Sequence, residues 1–161
     1  MRTSTRSKSP THSVGTTQLA TFTIGELLVG IDIQSIQEIN RQVETTPVPH
    51  SPAAVRGVVN LRGDVVTVMD LRVILDLEPI QVSSSTRTII VRHNNERTGL
   101  LVDAVADVVT IDGSDILPCP ANVNGIAGRF FRGVVQLELG LLVVLCIHQV
   151  LGVEATTRRA S

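Results

Sequence analysis

The apolar positions of this chain fall in short runs rich in Val, Ile, Leu and Thr, broken at close spacing by turn-forming residues. Such runs favour several strands over long amphipathic helices. The pattern delimits candidate strands at 18–24, 27–33, 57–61, 65–69, 87–92, 97–103, 132–138 and 141–146. Gly25-Glu26, Gly63-Asp64, Asn94-Asn95 and the single Gly140 stand between apolar runs, and Gly or Asn there accepts the positive φ of a hairpin turn. Helix is sparse: one turn is expected near Asp70 to Leu75, with Asp70 as its N-cap, and another near Ile147 to Leu151. The ends, residues 1–17 and 153–161, are polar and aperiodic. They are expected to be disordered, because they bury too little to offset the entropy of ordering.

An internal repeat organises these strands. Arg56-Gly57-Val58-Val59-Asn60-Leu61 recurs as Arg132-Gly133-Val134-Val135-Gln136-Leu137, an offset of 76 positions. At the same offset Val65 to Met69 faces Leu141 to Leu145, and Leu71, Ile74 and Leu75 face Ile147, Val150 and Leu151. Upstream, Gly30-Ile31-Asp32-Ile33 through Ile36-Gln37-Glu38-Ile39 matches Gly99-Leu100-Leu101-Val102 through Val105-Ala106-Asp107-Val108 at an offset of 69. Two copies of a strand-rich unit of about 70 residues, each marginal alone, predict two similar small barrels or sheets with a cleft between them. Whether each is one contiguous copy or exchanges strands with the other is left open by the repeat, since register is set by tertiary contacts.

Composition narrows the function by exclusion. With 14 basic and 15 acidic residues the formal net charge is -1, too weak a field to draw nucleic acid or an anionic membrane. The only aromatics are Phe22, Phe130 and Phe131, too few for a base-stacking groove. The longest apolar run, Leu141 to Ile147, is far short of a spanning helix, and Met1 to Thr17 lacks an apolar signal region, so a soluble cytoplasmic protein is expected. Cys119 and Cys146 have no metal-site spacing and read as small hydrophobes kept reduced.

Catalytic chemistry finds no support either. His12, His50, His93 and His148 are scattered, and no HExxH, GxSxG or phosphate-binding glycine loop occurs. His148 takes the repeat position of Arg72 and reads as part of a solvated helix face. Asp32, Asp70, Asp103 and Asp107 fall at strand ends and turns, where Asp caps backbone N–H groups. Arg62-Gly63-Asp64 spells an adhesion tripeptide, which reads as coincidence at a turn. The copies differ usefully: Glu38 and Asp107 keep an acid at matching places, whereas Glu138 replaces Arg62. An arginine on a tight turn can offer its planar fork to a partner carboxylate or to Glu38.

The run Gly57-Val58-Val59-Asn60-Leu61-Arg62-Gly63-Asp64-Val65-Val66-Thr67-Val68-Met69-Asp70-Leu71 is similar to the central motif of the CheW family of bacterial chemotaxis coupling proteins. Gly30 to Ile33, Gln37 to Ile39, Gly99 to Asp103, Val105, Asp107, Val108 and Ile116-Leu117-Pro118-Cys119-Pro120 follow in the family's order, so the resemblance spans about residues 18–152. Val29 stands where an aromatic is common, Thr67 replaces a usual proline, and tyrosine is absent.

The resemblance implies an all-β domain of two SH3-like five-stranded β-barrels related by the repeat, with short terminal helical turns and no catalytic residue, metal or cofactor. It implies a non-catalytic adaptor that couples methyl-accepting chemoreceptors to a CheA-type histidine kinase, cytoplasmic and recruited to membrane receptor arrays without inserting into the bilayer. The receptor's cytoplasmic helical tip would contact Ile36, Glu38, Arg62, Val105 and Val108 in the groove between barrels. The kinase regulatory domain would face edges near Gly57, Val58 and Gly133. At 161 residues the chain leaves no room for an ATP-binding module, and a free-standing adaptor is expected. The alternatives are a scaffold of the same kind in pilus motility or biofilm signalling, and an enzyme that uses the inter-barrel groove.

Overall fold

A computed structural model describes residues 15–41, 44–138 and 140–152 of the chain. The strands are β1 (Thr16–Ile24), β2 (Leu27–Asp32), β3 (Ile36–Arg41), β4 (Val55–Leu61), β5 (Asp64–Asp70), β6 (Arg87–His93), β7 (Glu96–Val102), β8 (Ala104–Asp112), β9 (Asn122–Val123), β10 (Ile126–Ala127), β11 (Phe131–Leu137) and β12 (Gly140–Leu145). Helix α1 (Leu71–Ile74) begins where Asp70 accepts a hydrogen bond from the Arg72 amide, and a second helical turn covers residues 147–152. Strand β1 starts at Thr16, inside the segment expected to be a tail. Residues 1–14 of that segment, and the C-terminal tail, lie outside the described residues.

All eight runs expected from the apolar pattern are strands. The pattern did not delimit β3 and β8. Edge strand β3, IQEINR, has few apolar residues and alternates half-buried and exposed positions, so it carries a weak apolar signal. Edge strand β8, AVADVVTID, is apolar in sequence yet exposed over most of its length, and it follows β7 with only Asp103 between them and no Gly or Asn turn to set it off. The hairpin after β4 turns at Arg62-Gly63, φ +53° and +90°, so Asp64 opens β5 instead of sitting in the turn. The Asn60 carboxamide oxygen takes the Gly63 N–H at 3.0 Å, and Asn122 does the same for Gly125 at 3.0 Å in the β9–β10 hairpin.

Two five-stranded sheets result, in the orders β11-β12-β2-β1-β8 and β3-β6-β7-β5-β4. The repeats are therefore exchanged: the opening two strands of each copy pair with the closing three of the other. The parallel seams carry the proof, since Val68 lies opposite Gly99 and its counterpart Val144 lies opposite Gly30. A Cβ at Gly99 would meet the Thr88 methyl at 2.9 Å and Val68 across the seam at 3.2 Å, and one at Gly30 would meet Leu19 at 3.1 Å and Leu142 across the seam at 3.3 Å, so a side chain at either position would force its neighbours to shift. Seen along the chain, residues 36–102 form one sheet whole, inserted between β2 and β8 of the other. The chain crosses between sheets twice, at the 3-10 turn Ile33–Ser35 and at Asp103, which are repeat-equivalent positions.

Each sheet curls until its edges approach. In the first barrel Leu19, Ile111, Val135, Leu142 and Val144, from edge and central strands alike, share one buried cluster. A larger cluster joins Phe22, Val29 and Val143 of the first barrel to Met69, Ile89 and Leu100 of the second. Central strands such as β12 are thus buried on both faces, one toward their own barrel and one toward the neighbour. Among the described residues no helix is long and apolar enough to cross a membrane.

Candidate partner-binding site

The expected receptor residues occupy repeat-related edge strands. Ile36 and Glu38 lie on β3, opposite Val91 and Ile90, with a bulge between them. Val105 and Val108 lie on β8 of the other barrel, opposite Phe22 and Ala20, again across a bulge. The extra residue in each pair increases the local twist and turns the edge strand away from simple strand addition. Ile36 packs against the shared core, whereas Val105 and Val108 are 36% and 50% exposed. Ile39, the repeat counterpart of Val108, is exposed as well.

Glu38 and Arg62 meet. The guanidinium donates to the Glu38 carboxylate at 2.5 and 3.4 Å, bridging edge strand β3 to the turn after the opposite edge, β4. This hydrogen bond holds the Glu38 carboxyl below the usual glutamate value and pushes the Arg62 guanidinium higher. Arg62 nevertheless keeps 73% of its side chain exposed while Glu38 keeps 18%. The carboxylate thus orients a fork whose outer face is still free to bind. Beside it Arg97 of β7 pairs with Asp64 of β5. Both charged tips of the Arg62-Gly63-Asp64 tripeptide are therefore engaged within the chain. At the matching end of the first barrel the residues are Asp107 and Glu138, without a cation at either repeat position.

The residues expected to face the kinase sit differently. Gly57 and Gly133 are buried and Val58 is half-buried. Thr46 bridges to Val58, and Leu117 to Val134. An added Cβ at Gly57 would come within 2.5 Å of the Thr46 carbonyl oxygen, and one at Gly133 within 2.4 Å of that of Leu117. These glycines admit a crossing chain, so they shape the outer edges of β4 and β11.

Several contacts were invisible to motif reading. Arg72 of α1 forks onto Asp103, Nε to Oδ1 at 2.8 Å with a second bond from Nη2 to Oδ2. Asp103 Oδ2 also accepts the Gly25 N–H at 2.7 Å. Burial works against the Asp103 carboxylate, but the bonds from Arg72 and Gly25 outweigh it and hold its pKa below the ordinary value. The available signal was the repeat itself, because the counterparts of Arg72 and Asp103 are His148 and Gln34, which carry neither the guanidinium nor the carboxylate. The carboxylates read as caps behave so at Asp32 and Asp70, which accept the Gln34 and Arg72 amides. Exposed His148 lies with its ring 5.6 Å from that of His93. Among the described residues no three His, Cys, Asp or Glu side chains are grouped to hold a metal ion.

Paired barrels that share a core, one with a charged rim and the other with exposed valines on an edge strand, define a binding module of the scaffold class. The model of the CheW-like domain family matches residues 18–155, and the chain belongs to that family. It is 31% identical over 136 residues to "Chemotaxis protein CheW" of Treponema pallidum (strain Nichols), covering 82% of this chain and 80% of the relative. It is 34% identical over 124 residues to the protein of the same name from Rhizobium meliloti (strain 1021), covering 77% and 80%. Among solved structures, scaffolding protein TtCheW from Thermoanaerobacter tengcongensis superposes with a TM-score of 0.77 at 30% identity, over 83% of this chain and 91% of that one.

Proposed function

We propose that this protein is a non-catalytic adaptor that couples chemoreceptors to a CheA-type histidine kinase, working in the cytoplasm at membrane receptor arrays. The observation that carries the reading is the Arg62 fork: it is oriented by Glu38 yet largely exposed, at the rim of a barrel whose partner offers Val105 and Val108. An amphipathic helical tip fits such a surface, with apolar residues against the valines and a carboxylate on Arg62. Ile36 supports β3 from beneath. The edges shaped by Gly57, Val58 and Gly133 are assigned to the kinase regulatory domain. Each contact is modest, so micromolar affinity strengthened by array avidity is expected.

The test is titration calorimetry with a purified receptor cytoplasmic fragment and with the kinase regulatory domain. Arg62→Glu and Val108→Asp should each weaken receptor binding tenfold or more and leave kinase binding intact. Val58→Asp should do the reverse. Ile36→Asp is a poorer probe, because Ile36 is anchored to the core. If folded wild type binds neither receptors nor kinases of its own cell, the adaptor reading fails.

A further inference from the structure

We infer that Arg72, Asp103 and the Gly25 amide form a latch that sets the angle between the two barrels, making Arg72 and Asp103 positioning residues for the groove. The inference rests on the proposed function for its consequence, but not for its geometry.

The shared apolar cluster packs the barrels against each other, while the drive to bury it is itself non-directional. A bidentate guanidinium–carboxylate pair is directional. Its three members come from three places that matter for the angle. Arg72 belongs to α1 of the second barrel, Gly25 to the β1–β2 turn of the first, and Asp103 to the link between β7 and β8. The Asp103 amide also donates to Thr23 of β1 at 3.2 Å. One carboxylate thus ties a crossing point to both barrels. The pair is one-quarter exposed or less on each side and keeps more of its strength than a fully solvated one.

The repeat supplies an internal control. At the other crossing the counterparts are Gln34, exposed, and His148, whose ring faces His93. There, among the described residues, the side-chain cap is local, Asp32 on the Gln34 amide at 2.9 Å. A crossing of this kind therefore folds without an ion pair, so the Arg72–Asp103 pair does more than close a turn. One crossing is tied by the ion pair and the other is not, and the edges β3 and β8 start immediately beyond the two crossings.

Residual dipolar couplings of the full chain test this directly, since the alignment tensor of residues 36–102 can be compared with that of 16–32 and 104–138. In wild type the tensors should coincide. In Asp103→Asn and in Arg72→Lys, which loses the fork but keeps the charge, they should diverge while couplings within each sheet still fit one barrel. Gln34→Ala should leave them coincident. Receptor-fragment affinity should fall severalfold in the two latch variants. Coincident tensors in both latch variants would overturn the inference, even if thermal stability drops. If Asp103→Asn does not fold, Arg72→Lys alone decides. Diverging tensors in a protein that binds no receptor would uphold the latch and defeat the adaptor reading.

Discussion

Asp70 and Cys146 occupy the same place in the two repeats and do different work. Asp70 donates its amide to Ala54 at 2.7 Å, as Cys146 does to Phe130 at 2.8 Å. The fully buried Asp70 carboxylate additionally takes the Arg72 amide at 3.0 Å and the Ile80 amide at 2.8 Å, with Arg56 at 3.9 Å. It thereby fastens the segment that leads from the first copy to the second. Asp70→Ala strands two amides and should cost roughly 3 kcal/mol, at about 1.5 kcal/mol for each bond to a charged acceptor, read as a lower urea midpoint. Thr88 is the opposite case, a fully buried side chain whose hydroxyl finds no partner among the described residues. Replacing it with Val keeps the shape and removes the desolvated group, so Thr88→Val should raise stability by about 1 kcal/mol. A lower urea midpoint would mean that the hydroxyl is bonded after all.

At the scale of elements, the hairpin strands were legible because β-branched runs between Gly or Asn turns have little else to become. The edge strands β3 and β8 were not, although the repeat had already marked Ile36 to Ile39 and Val105 to Val108 as equivalents. β3 is too polar to register as a strand, and β8 runs on from β7 across Asp103 without a Gly or Asn turn to separate them. Glu38 and Arg62 could be paired in advance through chemistry, an acid on one edge and a fork on a turn. The Glu38 carboxyl lies below its ordinary value of 4.5 in the folded chain, so the sign is that of a depressed acid. The ion pair is complete above that value and is lost as pH falls through the folded-state pKa. Receptor binding that depends on the fork should therefore be flat from neutral pH down to about 5 and fall only in stronger acid. A decline beginning between pH 7 and 6 would point to a histidine instead. Gly57→Ala and Gly133→Ala press a methyl onto a carbonyl of the crossing chain. Each should cost roughly 1–3 kcal/mol through overpacking and weaken kinase binding only through the displaced edge, visible as amide shifts at Thr46 or Leu117.

For the molecule as a whole, strand exchange and the shared cluster make the barrels one cooperative unit. Phe22 of the first barrel is 1% exposed within the cluster that also contains Met69 and Leu100 of the second. Phe22→Ala should cost about 3–5 kcal/mol and lower hydrogen-exchange protection in both barrels together. Protection lost in the first barrel alone would show that the two unfold separately. Reciprocal pairing also places four of the eight ladders of the two sheets between strands distant in sequence, which predicts slower folding than local hairpins alone would allow.

What the sequence determined by itself were the elements and their kinship: strands from short β-branched runs, caps from Asp, two related copies from matching offsets, and the absence of any familiar catalytic motif. Those follow from local preferences, which each segment carries wherever it is placed. Only the tertiary structure decided that the copies exchange strands, that Gly30 and Gly99 face valines across parallel seams, and that Arg72 reaches Asp103. Pairing between distant segments depends on which backbone edges and side chains come together in space, and the two copies are similar enough that either pairing would satisfy the apolar pattern.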